Sequence, residues 1–94
     1  MPHDPTSDGP WVLVVPDAFR TRLRKLTAKD STLRQAFEKK IAAVQVYPMT
    51  LGQRSVNPPN TRHVHVKNHW VLFWSVEGNE VTLLDCGHHD EFFK

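Results

Sequence analysis

The chain is poor in cysteine, in long apolar runs and, over its middle, in acids. Cys86 is its one cysteine. It cannot close an internal disulfide, so a reducing compartment is expected and the protein reads as cytoplasmic. No apolar run approaches the roughly 18 residues of a membrane span, so no membrane partner is expected. The opening MPHDPTSDGP has no basic n-region and no apolar h-region, which argues against a signal peptide. Residues 1–10 read as a flexible arm, and 11–94 as one small domain with a single modest core.

The net charge of +2 hides an uneven distribution. Residues 16–67 carry eleven lysines and arginines against Asp17, Asp30 and Glu38, whereas residues 68–94 carry Lys94 against five acids. A basic middle points to a polyanionic or acidic partner, although a solvated helix face gives the same pattern.

Periodicity sets out the elements. Trp11-Val-Leu-Val-Val15 is a β-branched run between Pro10 and Pro16 and reads as a buried strand. Pro16 suits a helix start, and Phe19, Leu23 and Leu26 form an apolar stripe over residues 17–28. Arg20, Arg22, Arg24 and Lys25 lie largely off that stripe. Asp30 or Ser31 can cap a second helix with Leu33, Phe37, Ile41 and Val44 inward, ending near Tyr47 before Pro48. A short strand is expected around residues 53–56. Strands at 62–66, 69–76 and 80–86 follow, with turns at Lys67-Asn68 and Gly78-Asn79. Residues 87–94 read as a loop or one helical turn. The fold class is α+β: an N-terminal strand, a two-helix hairpin, then an antiparallel sheet with the helices on one face.

Residues 62–94 hold five of the six histidines and two of the three tryptophans. Alternation puts His63 and His65 on one side of their strand and Val64 and Val66 on the other. A two-residue turn at Lys67-Asn68 would then set Trp70, Leu72 and Trp74 on the histidine face, with Val71 and Phe73 against the helices. A one-residue change in the turn would reverse this.

Histidines, arginines and aromatics are the parts needed to cut RNA by acid–base chemistry. Attack of the 2′-hydroxyl on the adjacent phosphorus needs a base, and the leaving 5′-oxygen needs an acid. Imidazole serves both because it titrates near neutrality. Arginine can bind the charge that builds on the phosphoryl oxygens, and aromatic rings can hold splayed bases. A rival reading takes His63-x-His65 with His88, His89 or Asp90 as a Zn²⁺ or Fe²⁺ site. The plain reading leaves exposed strand histidines.

Two spacings go further. Arg62-x-x-His65-x-x-x-His69-Trp70-x-Leu72-x-Trp74 and Gly87-x-His89-x-x-x-Phe93 resemble the YafQ-type members of the RelE/ParE superfamily, the toxins of type II toxin–antitoxin pairs. The likeness spans about residues 11–94. It implies a RelE-like fold and a ribosome-dependent mRNA endonuclease, needing no metal and no cofactor, held inactive in a hetero-oligomer by a cognate antitoxin. His65 and His89 match the family's catalytic histidines, Trp70 its active-site tryptophan and Phe93 its terminal aromatic. His69 stands where YafQ-like members have aspartate, and Asp85 where a basic residue is usual. The expected catalytic set is His65, His69, His89 and Arg62. The expected RNA contacts are Arg54, Lys67, Trp70, Phe93, His63 and His88. Two alternatives remain: a ParE-like inhibitor of DNA gyrase that does no chemistry, and a small histidine-rich metal-binding domain.

Overall fold

The computed structural model describes residues 11–55 and 60–93. The expected arm at 1–10, the end of the expected strand at Val56, and Lys94 lie outside the described residues.

Strand β1 is Val12–Val14. Helix α1 follows at Asp17–Leu26, with Pro16 at its N-cap and Thr27 at its C-cap. The Thr27 hydroxyl and amide both donate to the Leu23 carbonyl, which closes the last turn. Helix α2 runs Ser31–Val46. Its N-cap is Asp30, whose carboxylate accepts from the Leu33 amide at 2.9 Å, satisfying one of the donors a helix start leaves open. Then come β2 (Gln53–Arg54), β3 (Thr61–His65), β4 (Trp70–Glu77), β5 (Glu80–His88) and the single turn α3 (His89–Phe92).

The strands form one sheet in the order β1-β5-β4-β3-β2. The β2–β3, β3–β4 and β4–β5 pairs are antiparallel, and β1 joins β5 in parallel, so the sheet is mixed. Both helices pack on one face. Phe19 of α1 and Leu33, Phe37 and Val44 of α2 meet Val66, Leu72, Trp74, Val81, Leu83 and Cys86 in a single core. Trp74 is fully buried, and its indole N–H donates to the Pro48 carbonyl at 3.0 Å. That bond ties the end of α2 to the middle strand and spares the buried donor a desolvation cost.

The register of β4 differs from the sequence expectation. Val64 lies opposite Leu72 and His65 opposite Val71. Val66 donates to the Trp70 carbonyl at 2.7 Å, so Lys67, Asn68 and His69 form a three-residue loop, with Lys67 in the left-handed region at φ 68°. One extra loop residue moves every β4 side chain to the other face. Trp70, Leu72 and Trp74 therefore face the helices, and Val71 and Phe73 share the open face with His63 and His65.

A second shift of parity occurs between β4 and β5. Trp74 pairs with Leu83 but Phe73 pairs with Asp85, leaving Leu84 as an extra residue. Beyond this bulge Cys86 points into the core and is fully buried. Burial pushes its thiol up to about 12, with the Asp85 carboxylate adding to the rise, which leaves it in the unreactive thiol form.

Candidate active site

The open face of the sheet carries a cluster of rings drawn from three elements. His63 and His65 come from β3, Phe73 from β4, and His89, Phe92 and Phe93 from α3 and its C-cap. The His65 and His89 rings are stacked, with centroids 5.2 Å apart. Phe93 lies 4.6 Å from His89 and 5.1 Å from His63. His63 is also 5.5 Å from Phe73, and Phe73 in turn is 4.7 Å from Phe92. Fully buried Val71 is directly opposite His65 on the neighbouring strand. The outer rim is accessible: His65 is exposed, and Phe93 is 38% exposed.

His63 differs from its neighbours in having a fixed polar partner. Its Nδ1 lies 3.1 Å from the Ser55 hydroxyl. Burial, then the neighbouring His65 and His89, then Arg62, hold its imidazole below the ordinary value of 6.5. The ring is thus mainly neutral at pH 7. In the tautomer whose Nδ1–H donates to Ser55 Oγ, the Nε2 lone pair is free to take a proton.

The α3 turn is locked at its start. The His88 ring nitrogen accepts from the Asp90 amide at 3.2 Å, and the His88 amide donates to Glu91 Oε1 at 3.1 Å. This reciprocal box satisfies two open donors of the turn. The His89 amide donates to the His69 carbonyl at 2.6 Å, and the Phe93 amide to the His89 carbonyl at 3.0 Å.

The expected residues divide among four places. His63, His65, His89 and Phe93 come together on the open face. His69, His88 and Trp70 form a second group at the hairpin end, where His69 stacks on His88 at 5.7 Å and Trp70 meets His88 edge-on at 5.4 Å. Trp70, expected beside His63 and His65, also touches Phe37 of α2, as the three-residue loop requires. Arg62 alternates to the helix side. Its guanidinium donates to the carbonyls of Leu51 and Gly52 at 3.0 and 3.1 Å, and its direct cross-strand partner is Arg54. Both arginines line a cavity of about 250 Å³ with Met49 and Val76, away from the histidine cluster. Lys67 lies by α2, beside Lys39 and Lys40. Among the described residues no group of three His, Cys, Asp or Glu is arranged to hold a metal ion.

Sequence reasoning missed three participants. Phe73 reads as a helix-side residue with a two-residue loop, and the three-residue loop puts it on the open face. Ser55 gives no sign of pairing with a histidine eight positions away. Arg22 of α1 reaches Cys86, 64 positions on, and no local pattern announces that.

With this geometry in view, the class of fold is clear: the chain has the RelE-like toxin fold. It is similar to the isolated RelE toxin of Escherichia coli, with a TM-score of 0.71 at 20% identity over 84% of each chain. YafQ of E. coli superposes with a TM-score of 0.70 at 13% identity, over 90% of this chain and all of that one. In the RelBE2 toxin–antitoxin complex of Mycobacterium tuberculosis the match has a TM-score of 0.67 at 17% identity, over 87% of this chain and 97% of that one. No protein-family model matches the sequence, and no curated protein matches it. Among the described residues no helix is long and apolar enough to cross a membrane.

Proposed function

We propose that this chain is the toxin of a type II toxin–antitoxin pair, acting in the cytoplasm as an endonuclease on mRNA at the ribosome. The observation that carries the proposal is the stack of His65 on His89 at 5.2 Å, flanked by His63 and Phe93, on the open face of a RelE-like sheet. The reaction is attack of a 2′-hydroxyl on the adjacent phosphorus, giving a cyclic phosphate and a free 5′-hydroxyl. Neutral His63 removes the 2′-hydroxyl proton through Nε2, with Ser55 fixing the ring. His89 delivers a proton to the leaving 5′-oxygen, and His65 donates to a phosphoryl oxygen as charge builds there. Phe93 offers a ring on which a splayed base can stack. Both proton transfers use imidazole.

A cognate antitoxin is the expected partner, a reading supported by the structure of RelBE2 as a toxin–antitoxin complex. The basic middle of the chain suits an acidic segment of that partner or the phosphates of the ribosome. The test is primer extension on mRNA after a short pulse of expression, comparing wild type with His65→Ala and His89→Ala. Discrete cuts that vanish in both variants support the proposal. Growth arrest without cuts would replace it with inhibition of another target, DNA gyrase being the first to assay.

A further inference from the structure

The turn that carries His89 is too short to hold itself in place. Four residues make one helical turn, and isolated turns do not persist in water. Beyond its capping box and the His69 carbonyl, a residue from α1 holds it. β1 pairs with β5 only at residues 80–82, so the later part of β5 has no strand on that side among the described residues. Arg22 of α1 reaches past this free edge. Its Nε donates to the Cys86 carbonyl at 2.5 Å and lies 3.0 Å from Asp85 Oδ1. Its Nη2 pairs with Glu91 Oε2, while the other oxygen of the same carboxylate accepts from the His88 amide. Arg22 therefore joins the strand edge, the bulge and the α3 turn through one planar group, a role that suits the fixed fork of a guanidinium.

Gly87 makes room for this link. A Cβ at Gly87 would lie 2.6 Å from Arg22 Nη2, 3.0 Å from Glu91 Oε1 and 3.1 Å from the Phe92 ring. Gly87 is opposite Val71, and Val71 is opposite His65. The guanidinium thus lies at the β5 edge beside Gly87, whose backbone is about 10 Å, two strand spacings, from that of the β3 histidine. The His88 amide first, and the Arg22 side chain second, hold the Glu91 carboxyl below its ordinary value of 4.5, so the link is charged at neutral pH.

We propose that Arg22 is the positioning residue of the active site: by tying Glu91 to Asp85 and the Cys86 carbonyl it fixes α3, and so sets the place of His89 against His65. The inference rests on the endonuclease reading for its effect on rate, and on geometry alone for its effect on α3. Arg22 acts through α3 and not on the reacting atoms. The Asp85 that replaces a basic residue in the sequence pattern has a use here as one of its anchors.

The experiment uses the full chain with Arg22→Gln, Arg22→Lys and Glu91→Gln. It reads cleavage in a translating extract and amide hydrogen exchange at His89, Phe93 and the core strand residue Leu72. Arg22→Gln is expected to lower kcat by about 10- to 100-fold, the cost of misplacing a reacting group by about 1 Å, while KM stays within about threefold. Exchange at His89 and Phe93 should quicken and that at Leu72 should not, which separates a loosened turn from unfolding. The lysine variant keeps the charge without the fork and should recover only part of the rate. Glu91→Gln, at an exposed position, gives the same reading if Arg22→Gln does not fold. Unchanged kcat, or unchanged exchange at His89 and Phe93, would overturn the inference. If the wild type cuts no RNA, the endonuclease reading falls, and the exchange data still decide whether Arg22 holds α3.

Discussion

The histidines of the sheet form two groups on its two sides, and the same side chain does different work in each. His63, His65 and His89 meet on the open face, where Phe93 and Ser55 surround them and solvent reaches the rim. His69 and His88 meet at the hairpin end, against Trp70 and the helices. There His88 spends a ring nitrogen capping α3, and the His69 carbonyl receives the His89 amide. One group has nitrogens to offer a substrate, and the other is used in building the turn that delivers the first. His88 and His89 are neighbours in sequence and belong to opposite groups.

The largest test of this contrast is removal of one imidazole from each group. His65→Ala and His89→Ala should each lower the cleavage rate by about 10²- to 10⁴-fold, the usual worth of a positioned acid or base. His69→Ala should leave the rate within a few-fold, since only its backbone carbonyl holds α3. Equal losses in both groups, measured as single-turnover cleavage, would erase the distinction.

Trp74→Ala should cost about 3–5 kcal/mol of stability, because a fully buried indole and its bond to the Pro48 carbonyl are lost together. Phe93→Ala should do the reverse, lowering RNA affinity by about 1–3 kcal/mol, as for a stacking ring, while the denaturation midpoint hardly moves. Urea unfolding beside RNA binding checks both, and a Phe93 variant that unfolds without losing affinity would make this ring a sheet anchor instead.

A smaller effect should come from Gly87→Ala. The added methyl must displace the Arg22 guanidinium, so the cleavage rate should fall toward that of Arg22→Gln while the core stays folded. Combined with Arg22→Gln it should add little further loss, because the two changes share one contact.

The smallest effect expected is on pH dependence. The folded protein holds His63 below 6.5, so the unfolded chain binds a proton first as the pH falls. Stability from this group is complete above about pH 6.5 and is lost between there and the folded-state value. His63→Gln should remove that part of the slope in denaturation midpoints between pH 7 and 5. Cleavage by the wild type should decline on the acid side for the same reason, as the base takes up its proton.

The helices and most strand positions were legible because they follow from apolar spacing: Phe19, Leu23 and Leu26 in α1, and Leu33, Phe37 and Val44 in α2. The Asp30 cap and the Gly78-Asn79 turn were legible from local chemistry. The faces of β4 were not. They hang on Lys67 taking a left-handed conformation, and nothing in a lysine advertises it. His65, His89 and Phe93, marked by the family-like spacing, do lie together and with His63, whereas Trp70 falls on the helix side because the loop has three residues, and Arg62 because it alternates with His63 on β3. Arg22 was invisible for a different reason: the helix pattern explained it as one more exposed charge, and its partners lie at the other end of the chain.

The extra residue at Leu84 carries a consequence for how such a site can change over generations. Strand geometry works like a two-state counter, and the bulge advances it once between the buried Leu83 and the buried Cys86. Everything downstream inherits the result, including which of two identical neighbours looks toward His65. Deleting Leu84 would restore plain alternation, with Leu83 and Cys86 still inward and Gly87 still opposite Val71, so the histidines beyond would keep their faces. The bulge is thus a reserve of one residue: β5 can lose it and keep its far end, whereas a one-residue change that no bulge absorbs would turn every side chain beyond it to the other face.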